Sequence, residues 1–404
     1  MFGSDYLIIG GGMTAAAAVR GIREVDPVGT ISLVSAEPDP PYKRPPLSKK
    51  LWLGGAEDSV WSDLGQQGVE LRLNQRIARI DPESGHAVDD TGAIHRYRKL
   101  LLATGSAPRL LTDGGGDRIV HFRTLGDYRR LRELVASGDH FAVIGGGFIG
   151  TEIAAALASN GKRVTMIFPD EAIGNRIYPS AMGFWLNGCF AAHGVEVLAG
   201  ATVTGLHDRG DSVDVRISAA GGDARDLRVD GVVVGIGTTP NVELARDAGL
   251  PVGDGIGVDA LLNAGHPDIF AAGDVANAYL PALGDRRRIE HEDNANTMGR
   301  AAGRAMAGEA APWEHLPFFY SDMFELGYEA VGDLNPALEV VTHWIEPYHE
   351  GVLYYLRDDR VRGVLLWNVW DRVEAARALI RSAEPVDRRD VASWLLASSP
   401  TPGA

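Results

Sequence analysis

The chain of 404 residues holds a single cysteine, Cys189. One thiol cannot close an intrachain disulfide, form a Cys-x-x-Cys redox pair or supply a structural zinc site, so dithiol chemistry is excluded. The remaining histidines show no ligand spacing, and no metal is expected. Long apolar runs are also missing, since nothing approaches the 18 or so residues that a membrane span requires. The most apolar N-terminal stretch, Leu7 to Val19, is broken by glycines, follows Asp5 and has no basic segment before it, so it does not read as a targeting segment. A cytoplasmic protein is expected. Positive charge is scarce as well: 39 Lys and Arg against 54 Asp and Glu give a net charge of −15. Broad attraction to nucleic acid or anionic lipid would have to overcome that field, so neither is expected as a partner.

Glycine is abundant, at 50 residues. Without a collagen-like period, that implies many tight turns and close backbone approaches. Hydrophobic content of 45% and charged content of 23% are those of a globular protein, which excludes disorder and a coiled coil. The length exceeds what one core usually serves, so two or three domains are expected.

Tyr6-Leu7-Ile8-Ile9 is a short apolar run that leads into Gly10-Gly11-Gly12-Met13-Thr14-Ala15, an alanine-rich helical pattern to about Glu24, and a second strand from Thr30 to Val34. The device recurs in Phe141-Ala142-Val143-Ile144, the loop Gly145-Gly146-Gly147-Phe148-Ile149-Gly150, a helix from Thr151 to Ser159 and a strand from Arg163 to Phe168. With 50 glycines, roughly one GxGxxG is expected by accident, so a lone match carries almost nothing. Two matches, each between a buried strand and a helix and each with an acid about 20 residues on, carry a great deal. In such a unit Gly10 or Gly145 makes the tight turn. Gly12 or Gly147 lets a pyrophosphate approach, and Ala15 or Gly150 lets helix and strand pack. The phosphates then lie at the positive end of the helix. Glu37 and Asp170 are placed to take ribose hydroxyls. An acid at Asp170 would repel a 2′-phosphate, which argues for NADH over NADPH in the second unit.

Two such units imply two dinucleotides. Leu100 to Gly105, with Ala103, Thr104 and Gly105 at its end, and Val232 to Gly237 read as buried strands closing one unit apiece. Ile269-Phe270-Ala271-Ala272-Gly273-Asp274 reads as a further strand ending in Gly-Asp, whose carboxylate can accept from a cofactor hydroxyl.

The order of these motifs over residues 5 to 310 resembles the pyridine nucleotide-disulfide oxidoreductase superfamily, which places FAD in the first fold and a nicotinamide cofactor in the second. The Cys-x4-Cys pair of its disulfide-reducing branch is absent. Pro41-Tyr42-Lys43-Arg44-Pro45-Pro46-Leu47-Ser48-Lys49 instead looks like the FAD-contacting segment of the ferredoxin reductase and apoptosis-inducing factor branch. Phe318 to Asp322, Gly327 to Gly332, Leu365 to Asn368 and Arg286 to His291 resemble the latter. The resemblance implies an α/β chain with two Rossmann-like dinucleotide-binding domains of the glutathione reductase type and a C-terminal α+β domain. Its domains are 1–113 with 241–316 for FAD, 114–240 for NADH, 317–385 at the C-terminus, and a tail from 386 to 404.

The same resemblance assigns Lys49 to the flavin N5, paired with Glu152 at the start of the second-loop helix. It assigns Arg44 and Asp274 to FAD phosphate and ribityl contacts, and Glu290 and His291 to the nicotinamide side. Phe148 either gates or stacks on the nicotinamide, or is a core residue. Tyr320 stands where these families usually place tryptophan, which alters the stacking there. The implied activity is that of an FAD-dependent NADH oxidoreductase with an unidentified acceptor: a ferredoxin, a quinone or a small molecule. Two other readings stay open. One is a ferredoxin or rubredoxin reductase component of an oxygenase system, and the other an NADH-responsive redox switch that forms a charge-transfer complex and a dimer. A homodimer is compatible with any of them.

Overall fold

The computed structural model describes residues 2–64, 67–111, 115–219, 222, 224–388 and 395. Asp113 and Gly114, at the expected boundary between the first two domains, lie outside the described residues, as does nearly all of the expected 386–404 tail. The chain forms two compact units: Met1–Pro45, Ala56–Ala107 and Thr239–Pro317 make the first, and Pro46–Gly55, Pro108–Thr238 and Phe318–Ala404 make the second.

The first unit is built on parallel strands in the order Ile269–Ala271, Ile94–Leu102, Phe2–Ile9, Ile31–Val34 and Val69–Arg72. Tyr6 to Ile9, Ile31–Val34 and Leu100 to Leu102 are buried throughout, apolar but for Ser32, as in strands covered on both faces. The hairpin Ile77–Asp81 and His86–Asp89 continues antiparallel from Ile94–Leu102. The helix Met13–Val25 packs on the helix Glu292–Met306 at very close range. A Cβ added to Gly21 would stand 2.1 Å from the Arg300 carbonyl, and one on Gly303 would stand 2.1 Å from that of Ala18. Only glycine permits those two backbones to touch.

The second unit holds a parallel sheet ordered Val195–Ala199, Arg163–Phe168, His140–Ile144, Gly231–Val234 and Ile119–His121. The helix Leu125–Ser137 starts at a capping box between Thr124 and Asp127. A three-stranded antiparallel sheet shares a core with this layer through Val213, Val215, Ile217 and Val229. The C-terminal part is a five-stranded antiparallel sheet ordered Phe318–Met323, Leu326–Gly332, Arg360–Trp367, Glu350–Arg357 and Glu339–Glu346. The helix Val373–Ser382 buries Ala376 and Ile380. The α/β class, with two parallel-sheet units and a C-terminal sheet-and-helix part, is the expected one.

The segment Pro46–Gly55 belongs to this second unit. Trp52 anchors it: its indole donates to the Leu47 carbonyl (2.8 Å) and meets Tyr128 edge-on at 5.6 Å, while its own carbonyl accepts from Asn160 (3.1 Å). A short motif loop is thereby held on two helices.

Candidate functional site

In the first unit the glycine loop turns as expected. Gly10 has φ +121°, and a Cβ there would lie 2.1 Å from the Ala103 carbonyl, so the turn rests directly on the end of the neighbouring strand. Ala15 is fully buried beneath it. Ala103, Thr104 and Gly105 continue that strand end. Thr104 is locked to Asn241 by reciprocal bonds: its hydroxyl donates to the Asn241 carbonyl, and the Asn241 amide donates to the Thr104 carbonyl, both at 2.8 Å. Gly273 and Asp274 open a short 3-10 turn. A Cβ on Gly273 would reach 2.1 Å from the Thr14 hydroxyl, which puts the Gly-Asp step against the first turn of the loop helix.

Glu37 stands just beyond the second strand, and both of its oxygens are engaged. Oε2 accepts from the Tyr42 hydroxyl (2.6 Å) and Oε1 from Arg44 (2.5 Å). Burial opposes the Arg44 charge, yet Tyr42, Glu37 and Asp274 hold its pKa above the ordinary value. Arg44, Glu37 and Asp274 thus share one electrostatic neighbourhood. Glu290 is paired with Arg288, and His291 supplies the backbone cap of Glu292–Met306. Arg287 pairs with Asp285 (2.8 Å) and Arg286 donates to the Val258 carbonyl (2.7 Å), so the three consecutive arginines are neutralised or satisfied within their own unit.

In the second unit Gly145 has φ +119°, and a Cβ on Gly150 would come 2.0 Å from the Gly145 carbonyl. The helix begins at Phe148, three residues before the expected Thr151, because Gly147 is itself the cap. Glu152 therefore sits in the second helical turn. Phe148 and Ile149 are half-buried, and Phe148 packs edge-on against Phe319 at 5.4 Å. Phe319 in turn meets Tyr328, whose phenol burial pushes far above its usual range. Asp170 lies two residues beyond Arg163–Phe168, and Gly237 lies past Gly231–Val234, where its carbonyl accepts from the Arg109 amide (2.9 Å).

The most concentrated chemistry of this unit surrounds Glu152, only 4% exposed. Lys49 Nζ stands 2.6 Å from its Oε1, with the lysine side chain 14% exposed. The Ser48 hydroxyl donates to Oε2 (2.5 Å) and the Ser321 hydroxyl to Oε1 (2.6 Å). Lys49 also lies 5.2 Å from the centre of the Tyr320 ring. The expected pair of Lys49 and Glu152 is formed. The two serines had no assigned role, although Ser48 immediately precedes Lys49 and Ser321 immediately follows Tyr320, which was the available signal.

The loops fit a bound dinucleotide. Gly12 and Gly147 cap their helices with no side-chain hydrogen bond, and a Cβ on either meets nothing within 4 Å. First-turn N–H groups thus face a cradle that a larger residue would fill, the arrangement that binds phosphate.

The family described as pyridine nucleotide-disulphide oxidoreductase matches residues 4–299, and one described as apoptosis-inducing factor, mitochondrion-associated, C-term, matches residues 342–382. The mitochondrial apoptosis-inducing factor 1 of Dictyostelium discoideum is 32% identical, covering 95% of this chain and 79% of its own length. The ferredoxin–NAD(+) reductase component of the anthranilate 1,2-dioxygenase system of Burkholderia cepacia is 33% identical, covering 97% and 98%. A crystal structure of the covalent putidaredoxin reductase–putidaredoxin complex superposes with a TM-score of 0.89 at 27% identity, covering 96% of this chain and 95% of that one.

Proposed function

Because the chain belongs to the pyridine nucleotide-disulphide oxidoreductase family, we propose that its two glycine loops divide two cofactors, FAD at Gly10 to Ala15 and NADH at Gly145 to Gly150. The protein is an FAD-dependent NADH oxidoreductase. On this reading 1–113 with 241–316 form the FAD domain, except that Pro46–Gly55 packs in the second unit, while 114–240 form the NADH domain and 317–385 the C-terminal domain. FAD, when bound, accepts a hydride and releases its electrons singly.

The chain's own residues supply placement and charge. Gly12 and Gly147 leave helix N–H groups to hold the pyrophosphates, and Asp170 takes the NADH ribose hydroxyls. Arg44 and Asp274 serve the FAD side. The observation that carries the proposal is the Lys49–Glu152 pair with its two serine donors, in the same unit as the second glycine loop. Glu152 holds the Lys49 ammonium in one position, where a fixed cation favours negative charge developing on a reduced acceptor. Tyr320 lies against that cation, with its ring centre 5.2 Å from the Lys49 nitrogen.

The acceptor is a one-electron carrier of the ferredoxin type. Supporting this are the near full-length likeness to a dioxygenase reductase component and the absence of a cysteine pair that would take electrons inward. Of the three consecutive arginines, Arg287 and Arg288 pair with carboxylates of their own unit, while Arg286 bonds to backbone carbonyls. A second reading is an NADH-responsive switch with slow turnover. Anaerobic rapid mixing with NADH, followed by a [2Fe–2S] ferredoxin, a quinone or ferricyanide, decides between them. Fast bleaching of flavin absorbance with rapid reoxidation is expected. A persistent long-wavelength band with negligible turnover would support the switch, and purified protein unable to bind FAD would refute both.

A further inference from the structure

On sequence alone Cys189 serves only to exclude dithiol chemistry, yet it stands four residues before His193. The helix Ser180–Ala192 ends at His193, so sulfur and imidazole lie on one helical face. The turn between Phe318–Met323 and Leu326–Gly332 brings a carboxylate to the same face. Phe324, in the left-handed region with φ +55°, stacks flat on the His193 ring (3.9 Å between centres, 14° between planes) and meets Phe190 edge-on at 5.1 Å. That packing fixes the neighbouring Glu325, whose Oε2 is 3.0 Å from His193 Nε2. On its other side, His193 Nδ1 is 2.9 Å from the Cys189 carbonyl and 3.9 Å from the Cys189 sulfur. Sulfur, imidazole nitrogen and carboxylate oxygen all lie within 4.8 Å of one another.

This geometry asks for a cation. A neutral imidazole carries one N–H, and here both ring nitrogens face oxygen acceptors. With Nδ1–H given to the carbonyl, the ordinary orienting contact of a metal-bound histidine, the Nε2 lone pair points at a carboxylate lone pair. Only a proton or a metal between them makes that contact favourable. The 3.0 Å separation is close to the ~3.3 Å between two ligand atoms on a tetrahedral zinc ion with bonds of about 2.0 Å.

We propose that Cys189, His193 and Glu325 form a three-ligand site for a divalent cation of the zinc class, with a fourth position left to water. Thiolate, imidazole and carboxylate together suit that class, and a site with three protein ligands keeps one position exchangeable. Binding forms the metal–sulfur bond and breaks the S–H bond, whose proton leaves to solvent. The ligand sulfur is a thiolate, so the metal displaces the thiol proton as it binds. His193 and Glu325 are the titratable groups set against the sulfur. The turn that supplies Glu325 joins the strands of a hairpin that also carries Tyr320 and Ser321, so a bound cation would pin that hairpin to the helix.

The test uses reduced, metal-depleted, FAD-loaded protein titrated with Zn(II) against a chromogenic chelator, and with Co(II) followed by absorbance. One equivalent of zinc is expected, tightening about tenfold per pH unit as one proton is released. Co(II) is expected to give a near-ultraviolet thiolate charge-transfer band and the strong visible bands of a tetrahedral site. Cys189→Ser and Glu325→Gln are each expected to weaken zinc binding at least about tenfold. Glu325 is exposed on a turn, so its variant keeps the test valid even if Cys189→Ser folds poorly. No binding at micromolar zinc would overturn the proposal, as would one equivalent bound equally well by the Glu325→Gln protein without a thiolate band in the parent.

Discussion

Replacing Lys49 by methionine keeps most of the side-chain stem but removes the cation 2.6 Å from Glu152. Glu152 is 4% exposed, so its charge cannot fall back on bulk water. Leaving a buried charge unpaired costs about 3–5 kcal/mol. Two hydroxyls remain, from Ser48 at 2.5 Å and Ser321 at 2.6 Å. Hydrogen bonds to a charged group are worth about 1.5–3 kcal/mol each, so the loss falls at the lower end, about 3 kcal/mol. Adding Glu152→Gln to the same chain removes the stranded charge while keeping an acceptor for one serine. The double variant should recover about 1.5 kcal/mol or more. The assay is a double-mutant cycle by denaturant unfolding, with the rate of flavin reduction by NADH measured on the same four proteins. Slower reduction is expected wherever Lys49 is missing. Losses that simply add, within about 0.5 kcal/mol, would show that the two side chains are not coupled, and an unchanged reduction rate would remove Lys49 from the site.

Gly147→Ala and Gly150→Ala should behave oppositely. A Cβ at Gly147 meets nothing within 4 Å, so that variant should fold normally yet bind NADH about tenfold more weakly, ~1.4 kcal/mol. Intact NADH binding would exclude a phosphate at that helix end. At Gly150 the Cβ would collide with the Gly145 carbonyl at 2.0 Å, so thermal stability should drop whether or not NADH is present. In the first unit, burial alone would raise the Asp89 carboxyl. Hydrogen bonds from Thr91, His95 and the Ala93 amide outweigh it and hold the group well below its usual 3.8. A depressed pKa gives stability that is present above pH 3.8 and lost as the pH falls below it. Asp89→Asn should therefore cost about 2–3 kcal/mol at pH 7, with the gap from the parent closing below about pH 4. A gap independent of pH would refute the assignment. Asp170→Ser should narrow the preference for NADH in kcat/KM, and a parent enzyme that prefers NADPH would refute the role given to Asp170.

The parallel units were legible because their signals are local. Buried strands read as mostly apolar runs, and the strand Arg163–Phe168 was found to the residue. The start of the second-loop helix was misplaced because glycine caps it, leaving no serine, threonine or aspartate to announce the boundary. Lys49 and Glu152 were reached through motif resemblance, since their spacing in the chain says nothing about contact. Ser48, Ser321 and Asn241 acquire meaning only through pairings more than a hundred residues long, which no periodicity encodes. Cys189 and His193 lie one helical turn apart, but two residues at that spacing do not by themselves make a ligand set. Their third neighbour, Glu325, is 132 residues from His193 and reaches it only through a hairpin turn.

The close contact of Met13–Val25 with Glu292–Met306 also bears on how the chain comes to be folded. Gly21 and Gly303 are matched to backbone that is synthesised some 280 residues apart. At roughly 5–20 residues per second, the N-terminal strands and helix leave the ribosome well over ten seconds before the helix that covers them. During that interval Ala16, Ala17 and Val19 have no native cover from it, whereas the parallel sheet from Ile119–His121 to Gly231–Val234 is encoded without interruption. The second unit's sheet is thus placed to fold first, and the first unit's closing step is the capture of an early helix by a late one. Substitutions at Gly303 should therefore show themselves in yield during expression as much as in the stability of the protein that survives.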